Sequence, residues 1–380
     1  MKNVDEFNPK NEKDLKICVY AICKNESKFV DRWVNSLKEA DCIVVLDTGS
    51  TDNTMELLER YSPLVTVKQK IIDPWRFDAA RNESMKLIPD DVDICVVSDL
   101  DQVFVPGWAD ELRRLFSEGY EEIYGPIIDY DEENREEKRF LSKNVHPNNS
   151  EWYWERPIHE GVYYHGKRDI KVITSQYFII EHHQDKSKSR DSYLELLERE
   201  YKVNRKDPYC AIYYGCELCF HNKLDEGLQV FLNAINECDF SKTPEIGYQI
   251  NLNIADEYYN RKQYDLALKY VLDAYQYHIV TRRLHMKVAD IYFAMKDYET
   301  AIKYCFKALE VRENVQSWIE TDYYFKGGVY DTIALAYFYN KRWSSAISYG
   351  NLALKEDPEN ERFKNNLKFY INELRSQIEK

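Results

Sequence analysis

The second half of the chain repeats itself, and this repetition constrains the fold more than any other feature of the sequence. The segment IADEYYNRKQYDLALKYVLDA at 254–274 aligns with VADIYFAMKDYETAIKYCFKA at 288–308 after a shift of 34 residues. A third copy begins near residue 333, a further 45 residues on, and a weaker copy begins near Gly215. The positions shared by the first two copies are Ala255, Tyr258, Ala267 and Ala274, which align with Ala289, Tyr292, Ala301 and Ala308. We therefore expect stacked units of two helices each.

This arrangement of small and aromatic residues resembles the tetratricopeptide repeat. Small residues let two antiparallel helices approach closely, and the aromatic residues fill the space between successive helix pairs. We expect the repeats and a C-terminal cap helix at 207–380, after a linker helix at 185–206 and a first domain at 1–184. The alternative is an unrelated helical bundle.

The first half of the chain alternates short apolar strands with helical segments. The predicted strands are 16–22, 42–47, 65–70 and 93–99, and the predicted helices are 28–40, 54–61, 77–88 and 108–118. This order indicates an α/β fold with a largely parallel sheet, which strand-like runs at 122–129 and 169–180 would extend. Ligands of such sheets bind beyond the carboxyl ends of the strands, where we expect Asp47 and Asp99.

Asp99 and Asp101 stand at the end of an apolar strand in the stretch VVSDLDQVF. Carboxylates at such a strand end are costly to leave unpaired. Either they cap the next turn, or a positive group lies beside them. Hard divalent cations such as Mg²⁺ prefer oxygen ligands that substrate phosphates complete. The pair is therefore a candidate metal site, although capping is the usual reason for such a pattern.

Three further segments accompany the aspartate pair, and all follow or approach predicted strands. They are CKNES at 23–27, VVLDTGSTDNT at 44–54 and WRFDAARNES at 75–84. Together and in this order, the four segments resemble glycosyltransferase family 2, closely over roughly the first 105 residues. The resemblance implies a GT-A (Rossmann-like) nucleotide-sugar transferase domain, followed here by an all-α tetratricopeptide-repeat solenoid. Tailed members of this kind include transferases that add sugars to cysteine or serine of ribosomal peptides.

The resemblance implies a role for each polar residue of these segments. Asp47 would accept hydrogen bonds from the uracil or ribose of a UDP-sugar. Asn25 and Glu26 would line the same nucleoside pocket. Arg81 would face the diphosphate or the base, and Asn82 would hold the loop that carries Arg81.

The metal site implied by the resemblance contains Asp99 and Asp101. They would hold Mg²⁺ or Mn²⁺, which bridges the diphosphate of the donor and neutralises the leaving group, so that Asp99 also belongs to the donor site. His159 would be a third ligand or touch the diphosphate. Thr48 and Gln102 stand where many relatives have acidic residues, so the chain departs from the family pattern at one nucleotide contact and in the surroundings of the metal.

An inverting transferase also needs a base that takes a proton from the acceptor. Glu160, in the aromatic stretch WYWERPIHEGVYYHG at 152–166, is the first candidate, and Asp129 is the second. The alternative for Glu160 is a surface ion pair with Arg156 or Arg168.

Composition and charge bound the partners and the compartment. Hydrophobic residues make up 44% and charged residues 31% of the chain, which is typical of a globular protein. A net charge of −14 argues against nucleic acid or an anionic membrane as the main partner. The sequence has no apolar run of the roughly 18–20 residues that span a bilayer. Nine scattered cysteines and a polar N-terminus predict a cytoplasmic protein with reduced thiols.

These features predict a metal-dependent inverting glycosyltransferase that moves a sugar from a UDP-sugar to a serine or threonine hydroxyl or a cysteine thiol. The acceptor would be a peptide or protein recruited by the repeats, because repeat solenoids offer concave surfaces for extended chains. Two alternatives stay open: a transferase for a glycan or lipid-linked saccharide at the cytoplasmic membrane face, and a non-catalytic repeat scaffold. Homodimerisation also stays open.

Overall fold

The structure is a computed structural model that describes residues 11–131, 133, 135–184, 191–312 and 322–379. Its contacts divide the chain into two compact units, Met1–Leu196 and Leu197–Lys380. The first unit contains the predicted α/β elements, and the second contains the predicted repeats.

The first unit alternates strands and helices through its first part and is richer in strands afterwards. Its elements are β1 (Ile17–Cys23), α1 (Val30–Ser36), β2 (Cys42–Asp47), α2 (Thr54–Glu59), β3 (Val65–Gln69), α3 (Phe77–Met85), β4 (Ile94–Val97), β5 (Gln102–Phe104), α4 (Trp108–Ser117), β6 (Tyr120–Tyr130), β7 (Glu136–Pro147), β8 (Trp152–Glu155), β9 (Gly161–Tyr164), β10 (Lys171–Thr174) and β11 (Ile180–His182). Helix α5 (Asp191–Val203) follows and contains the boundary between the units. The first part of the predicted linker helix, 185–190, lies outside the described residues.

Nine of the described strands form one mixed sheet in the order β3-β2-β1-β4-β7-β6-β11-β5, with β10 paired to β6. Strands β1 to β4 pair in parallel, as the sequence predicts. The prediction of a largely parallel sheet is wrong beyond β4, because β7 runs antiparallel to both β4 and β6. The run predicted as one strand at 169–180 is divided between β10 and β11, which both pair with β6.

Strand β1 lies in the middle of the sheet and is buried on both faces. Ile17 and Val19 belong to one hydrophobic cluster, whereas Cys18 and Tyr20 belong to another on the opposite face. This burial explains the uninterrupted apolar run ICVYAIC, because a strand covered on both sides has no polar face. The central position of β1 also fixes its neighbours, β2 and β4, so that their carboxyl ends lie at one edge.

The second unit consists of consecutive helix pairs. They are α6 (Pro208–Phe220) with α7 (Leu224–Glu237), α8 (Pro244–Asn260) with α9 (Tyr264–Asp273), α10 (Arg282–Ala294) with α11 (Tyr298–Glu310), and α12 (Gly328–Tyr339) with α13 (Trp343–Glu356), followed by α14 (Glu361–Ile378). Within the pairs, Ala255, Ala267 and Ala289 are fully or almost fully buried. Tyr258 stacks on Tyr270 with ring centroids 5.7 Å apart. The prediction of a tetratricopeptide-repeat solenoid is confirmed.

Candidate active site

Polar side chains follow three neighbouring parallel strands at the points where the strands end. Cys23 at the end of β1 is in register with Asp47 at the end of β2. Tyr20 of β1 is in register with Val97, the last residue of β4, so that Asp99 follows close to the same edge. The sheet therefore gathers the segments that contain Asn25, Asp47 and Asp99, as expected for parallel strands.

Asn25 ties the loop after β1 to the loop after β2. Its backbone is left-handed, with φ of 56°, a conformation that asparagine tolerates better than most residues. Its Oδ1 accepts a hydrogen bond from the backbone N–H of Thr51 at 2.7 Å, and its own N–H donates to Ser50 Oγ at 2.8 Å. The backbone N–H of Glu26 donates to Thr54 Oγ1 at 2.8 Å. The two loops form one polar surface.

Asp47 is fully buried and shapes the turn that follows it. Its Oδ1 accepts from the backbone N–H groups of Gly49 and Ser50 at 3.0 and 2.9 Å and from Gln69 Nε2 at 2.8 Å. Burial alone would raise the pKa of Asp47, but the hydrogen bonds from Ser50, Gln69 and Gly49 outweigh it and lower the pKa. Asp47 is thus held as a carboxylate by its own chain, and contact with a nucleotide stays a prediction.

Arg81 of α3 is buried between two carboxylates. Its Nη2 donates to Asp99 Oδ1 at 2.8 Å, and its Nε donates to Glu160 Oε1 at 3.1 Å. The side chain of Arg81 is 8% exposed and that of Glu160 is 14% exposed, whereas Asp99 is 46% exposed. The guanidinium lies 5.1 Å from the ring centroid of Trp154. Nη1 of Arg81 is buried with no hydrogen-bond partner among the described residues.

The three groups line one cavity of about 380 Å³. Lys143, Asn144 and Tyr163 contribute to its wall together with Arg81, Asp99 and Glu160. Lys143 does not bring an uncompensated charge, because its Nζ donates to Glu122 Oε2 at 3.2 Å. The cavity is large enough for a sugar ring and lies at the carboxyl end of β4.

The alternative prediction for Glu160, a surface ion pair with Arg156 or Arg168, is wrong. Arg156 donates to the hydroxyl of Tyr163 at 2.7 Å. Arg168 instead makes a bidentate pair with the buried Glu121, whose Oε1 lies 2.6 Å from Arg168 Nη1. The partner of Glu160 is Arg81, which the sequence analysis assigns to the donor site.

Asn82 holds strand β8 against α3. Its Nδ2 donates to the carbonyl of Trp154 at 2.9 Å, and its Oδ1 accepts from the N–H of the same residue at 2.9 Å. The side-chain amide of Asn82 thus bonds to both backbone groups of Trp154, as a residue of a neighbouring strand would. Asn82 therefore fixes the position of Trp154 beside Arg81, which agrees with a loop-holding role more than with direct contact to a donor.

His182 at the end of β11 connects Asp101 with Asp129. Its Nδ1 lies 2.8 Å from Asp129 Oδ1, and its Nε2 lies 3.3 Å from Asp101 Oδ2. Strand pairing produces this arrangement, because His182 is in register with Asp129 of β6 on one side and with Gln102 of β5 on the other. Burial opposes the charge on His182, but its bonds to Asp101 and Asp129 outweigh burial and raise the pKa to about 9.

Residues 18–183 match the family model described as glycosyl transferase family 2. The matched region, which is fewer than half of the 380 residues, is similar to that family. A 69-residue part of the chain is 30% identical to the lipopolysaccharide core biosynthesis glycosyltransferase LpsC of Rhizobium meliloti (strain 1021). The match covers 18% of this chain and 26% of LpsC, so the chain spans about a quarter of the length of that relative.

Solved structures that resemble this chain include proteins built of helical repeats. MamA of AMB-1 is 18% identical, with a TM-score of 0.37, over 45% of this chain and 90% of MamA. YrrB, described as a tetratricopeptide-repeat protein with an unusual peptide-binding site, is 15% identical, with a TM-score of 0.37, over 48% of this chain and 85% of YrrB.

Within the region that matches the family 2 model, the structure does not group Asp99, Asp101 and His159 as a three-residue metal site. No group of three or more His, Cys, Asp or Glu side chains arranged to hold a metal occurs in the described part of the chain. His159 is exposed and has a left-handed backbone, with φ of 53°. The histidine beside the aspartate pair is His182, which the sequence analysis missed. The adjacent pair His182-His183 at the end of a strand is the signal that could have indicated it.

Proposed function

We propose that this protein is a metal-dependent inverting glycosyltransferase that uses a UDP-sugar. The observation that carries the proposal is the position of Arg81 between Asp99 and Glu160, with all three at one cavity in a family 2 domain. Asp99 belongs to the candidate metal site, and Glu160 is the candidate base. The buried guanidinium of Arg81 lies between these two carboxylates and so links the donor side of the cavity to its acceptor side.

The residues after β4 fit a divalent cation. Asp101 Oδ1 is a buried oxygen with no hydrogen-bond partner among the described residues. Asp99 is partly exposed, so a carboxylate oxygen is accessible from solvent. Two carboxylates leave coordination positions that donor phosphates would complete, as Mg²⁺ and Mn²⁺ sites commonly require. A bound cation would neutralise the charge that develops on the diphosphate as it leaves.

The donor would lie along the loops after β1 and β2. Asn25 and Glu26 would contact the nucleoside, and Asp47 would keep the Gly49–Ser50 turn in the shape that receives it. Arg81 carries one buried N–H edge that makes no hydrogen bond among the described residues, and it would donate to a diphosphate oxygen. Asn82 would act through Trp154, whose ring lies beside the guanidinium.

Glu160 would take the proton from the attacking hydroxyl or thiol. It faces the cavity and accepts one hydrogen bond from Arg81, through Oε1. The ion pair with Arg81 holds the carboxylate of Glu160 in position at the cavity. Asp129 is the second candidate, and its Oδ1 is engaged with His182.

The acceptor side of the proposal concerns the repeats. We assign the boundaries 1–184 for the transferase domain and 207–380 for the repeats, with the linker helix between them. The repeats would recruit a peptide or protein and supply a serine or threonine hydroxyl or a cysteine thiol to the cavity. Concave repeat surfaces commonly bind extended chains. We place the reaction in the cytoplasm.

A second candidate function is transfer to a glycan or lipid-linked saccharide. It is favoured by the likeness to LpsC, a transferase of lipopolysaccharide core biosynthesis. No described helix is both long enough and apolar enough to cross a bilayer. A non-catalytic scaffold fits less well, because a scaffold has no need for Asp99, Arg81 and Glu160 at one cavity.

Release of UDP tests the proposed function. The full-length protein is incubated with Mn²⁺ and a panel of UDP-sugars, and UDP is measured over time with water as the acceptor. We expect slow release from at least one donor in the wild type and in Asp110→Asn, an 89% exposed control. Asp99→Asn and Asp101→Asn should lose most of the release. Release that is absent for every donor, or equal in all variants, would exclude the assignment.

A further inference from the structure

The repeats contain a small cavity in which negative charge is in excess. It has a volume of about 70 Å³ and lies where α8 meets α10. Asp256, Lys287 and Asp290 line it, together with the ring of Tyr259. Lys287 Nζ forms an ion pair with Asp256 Oδ1. One ammonium group therefore faces two carboxylates, and Asp256 already engages it.

Asp290 has no hydrogen bond or ion pair with any described residue. Burial raises the pKa of Asp290 to about 6, and the attraction of Lys287 does not offset that effect. Arg362, the other cation that acts on Asp290, is bound to Asp331. A half-buried carboxylate with no partner among the described residues is unfavourable in the free protein, and the cost is recovered when a cation binds.

The repeat pattern explains why Asp290 has no partner in the described part of the chain. Asp256 and Asp290 each follow the first conserved alanine of their repeat, and Lys287 stands two residues before that alanine in the second copy. Asp256 therefore pairs with a lysine of the next repeat. The residue of the third copy that corresponds to Lys287 is Thr332, which has no charge. The segment 313–321 contains no lysine or arginine either.

We propose that this cavity binds the basic end of a lysine or arginine side chain from the polypeptide that the repeats recruit. The inference rests on the proposed recruitment of a peptide or protein and names the chemistry that is recognised. Asp290 supplies the charge for a charge-assisted hydrogen bond. Tyr259 also lines the cavity, and aromatic side chains attract cations. The small volume admits the end of one side chain and excludes a larger part of the ligand.

Selection from displayed peptides tests the proposal with the full-length protein. Random dodecapeptides are selected on the wild type and on Asp290→Asn, and the selected pools are sequenced. We expect the wild type to enrich lysine or arginine at one position, and Asp290→Asn to lose that enrichment. Replacing the enriched residue by norleucine should weaken wild-type binding about tenfold or more and should leave binding to Asp290→Asn unchanged. Equal enrichment by both proteins, or no basic enrichment, would overturn the proposal.

A second variant supplies the missing cation from within the chain. By repeat register, Thr332→Lys places an ammonium group opposite Asp290 as Lys287 is placed opposite Asp256. We expect a higher melting temperature than for Thr332→Gln and loss of the preference for basic peptides. The gain should vanish when Asp290→Asn is added. No gain from Thr332→Lys, or a gain that persists in the double variant, counts against a site for a cation.

Binding of UDP with Mn²⁺ is measured on the same wild-type preparation. Donor binding without a preference for basic peptides overturns this inference and leaves the transferase intact. A preference for basic peptides without donor binding supports this inference and overturns the proposed transferase function. The two failures are therefore distinguishable.

Discussion

Arg81 and Glu160 are 79 residues apart in the chain, and Nε of Arg81 lies 3.1 Å from Oε1 of Glu160. The same guanidinium donates to Asp99 at 2.8 Å. Asp99 and Glu160 share this buried guanidinium, and without it two like charges would face each other at one cavity. The donor site and the candidate base are therefore electrostatically coupled through one side chain.

Replacing Arg81 by methionine keeps an unbranched side chain and removes the charge. We expect the donor KM to rise at least about tenfold, because a charge-assisted hydrogen bond is lost. We also expect kcat to fall, because Glu160 loses the hydrogen bond that positions it at the cavity. Arg76→Met is the matched control, because Arg76 precedes α3 and pairs with Asp78 instead, at 2.7 Å. If Arg81→Met has the same donor KM and kcat as Arg76→Met, Arg81 acts on neither the donor nor Glu160.

Replacing Glu160 by glutamine keeps the shape and hydrogen-bonding capacity of the side chain but removes its proton affinity. With a serine acceptor we expect kcat to fall by about 10²–10⁴, the usual value of general-base catalysis. With cysteine at the same position the loss should be smaller and should shrink as pH rises, because a thiol ionises closer to neutrality. The measurement is kcat against pH for both acceptors. Nearly normal turnover of the serine acceptor by Glu160→Gln would show that Glu160 is not the base, and Asp129 would be tested next.

His182 contacts both Asp101 and Asp129 and positions them, although it is not among the predicted metal ligands. His182→Asn removes a side chain that reaches both carboxylates, so Asp101 would lose its orientation. We expect Mn²⁺-dependent UDP affinity to fall about 10- to 100-fold, the usual cost of removing a group that orients a metal ligand. His165→Asn, a change at a 30% exposed histidine that stacks on Tyr153, is the control. If the two variants bind UDP equally well, His182 has no part in the donor site.

The sequence predicts the features that depend on local pattern. Strand β1 is recognisable because burial on both faces leaves an uninterrupted apolar run, and the repeats are recognisable because the alanines that pack helix against helix recur at a fixed period. The strands and helices up to α4 lie close to their predicted bounds for the same reason. The matches to the family 2 model and the helix pairs confirm both halves of the fold class.

The features that the sequence does not predict depend on which strands pair and in what register. His182 meets Asp101 and Asp129 only because β11 lies between β5 and β6. The adjacent histidines indicate a candidate site but do not show which side chains lie beside it. Arg81 reaches Glu160 only because β8 lies beside α3, an arrangement that Asn82 secures through Trp154. The exposed position of His159 likewise depends on a left-handed turn that the residue types do not specify.

Acid should destabilise the protein through His146, which is buried and neutral. Tyr20 OH lies 2.8 Å from its Nε2, and its Nδ1 lies 2.9 Å from the carbonyl of Pro147. Burial lowers the pKa of His146 to about 4. An unfolded histidine titrates near the ordinary value of about 6.5, so between these pH values only the unfolded state binds the proton. The contribution of neutral His146 to the free energy of unfolding is fully present above about pH 6.5. It is lost as pH falls towards 4, and the loss is on the order of 3 kcal/mol.

Urea unfolding of the wild type and of His146→Gln between pH 4 and 7.5 measures this effect. We expect the free energy of unfolding of the variant to be lower at pH 7.5 but to depend less on pH. His165→Gln, at a partly exposed position, should keep the wild-type dependence on pH. Parallel pH dependence in the wild type and His146→Gln would assign the acid sensitivity to other groups.

Calorimetric titration of UDP into the full-length protein, with Mn²⁺ and with the metal chelated, tests the central claim most directly. The claim is that Asp99 and Asp101 hold a cation that binds the diphosphate. It predicts that Mn²⁺ increases the affinity of the wild type and of the exposed-site control Asp110→Asn, and that Asp101→Asn loses most of that increase while it keeps its melting temperature. Equal UDP affinity with and without Mn²⁺, or an undiminished Mn²⁺ effect in a folded Asp101→Asn, would contradict the account.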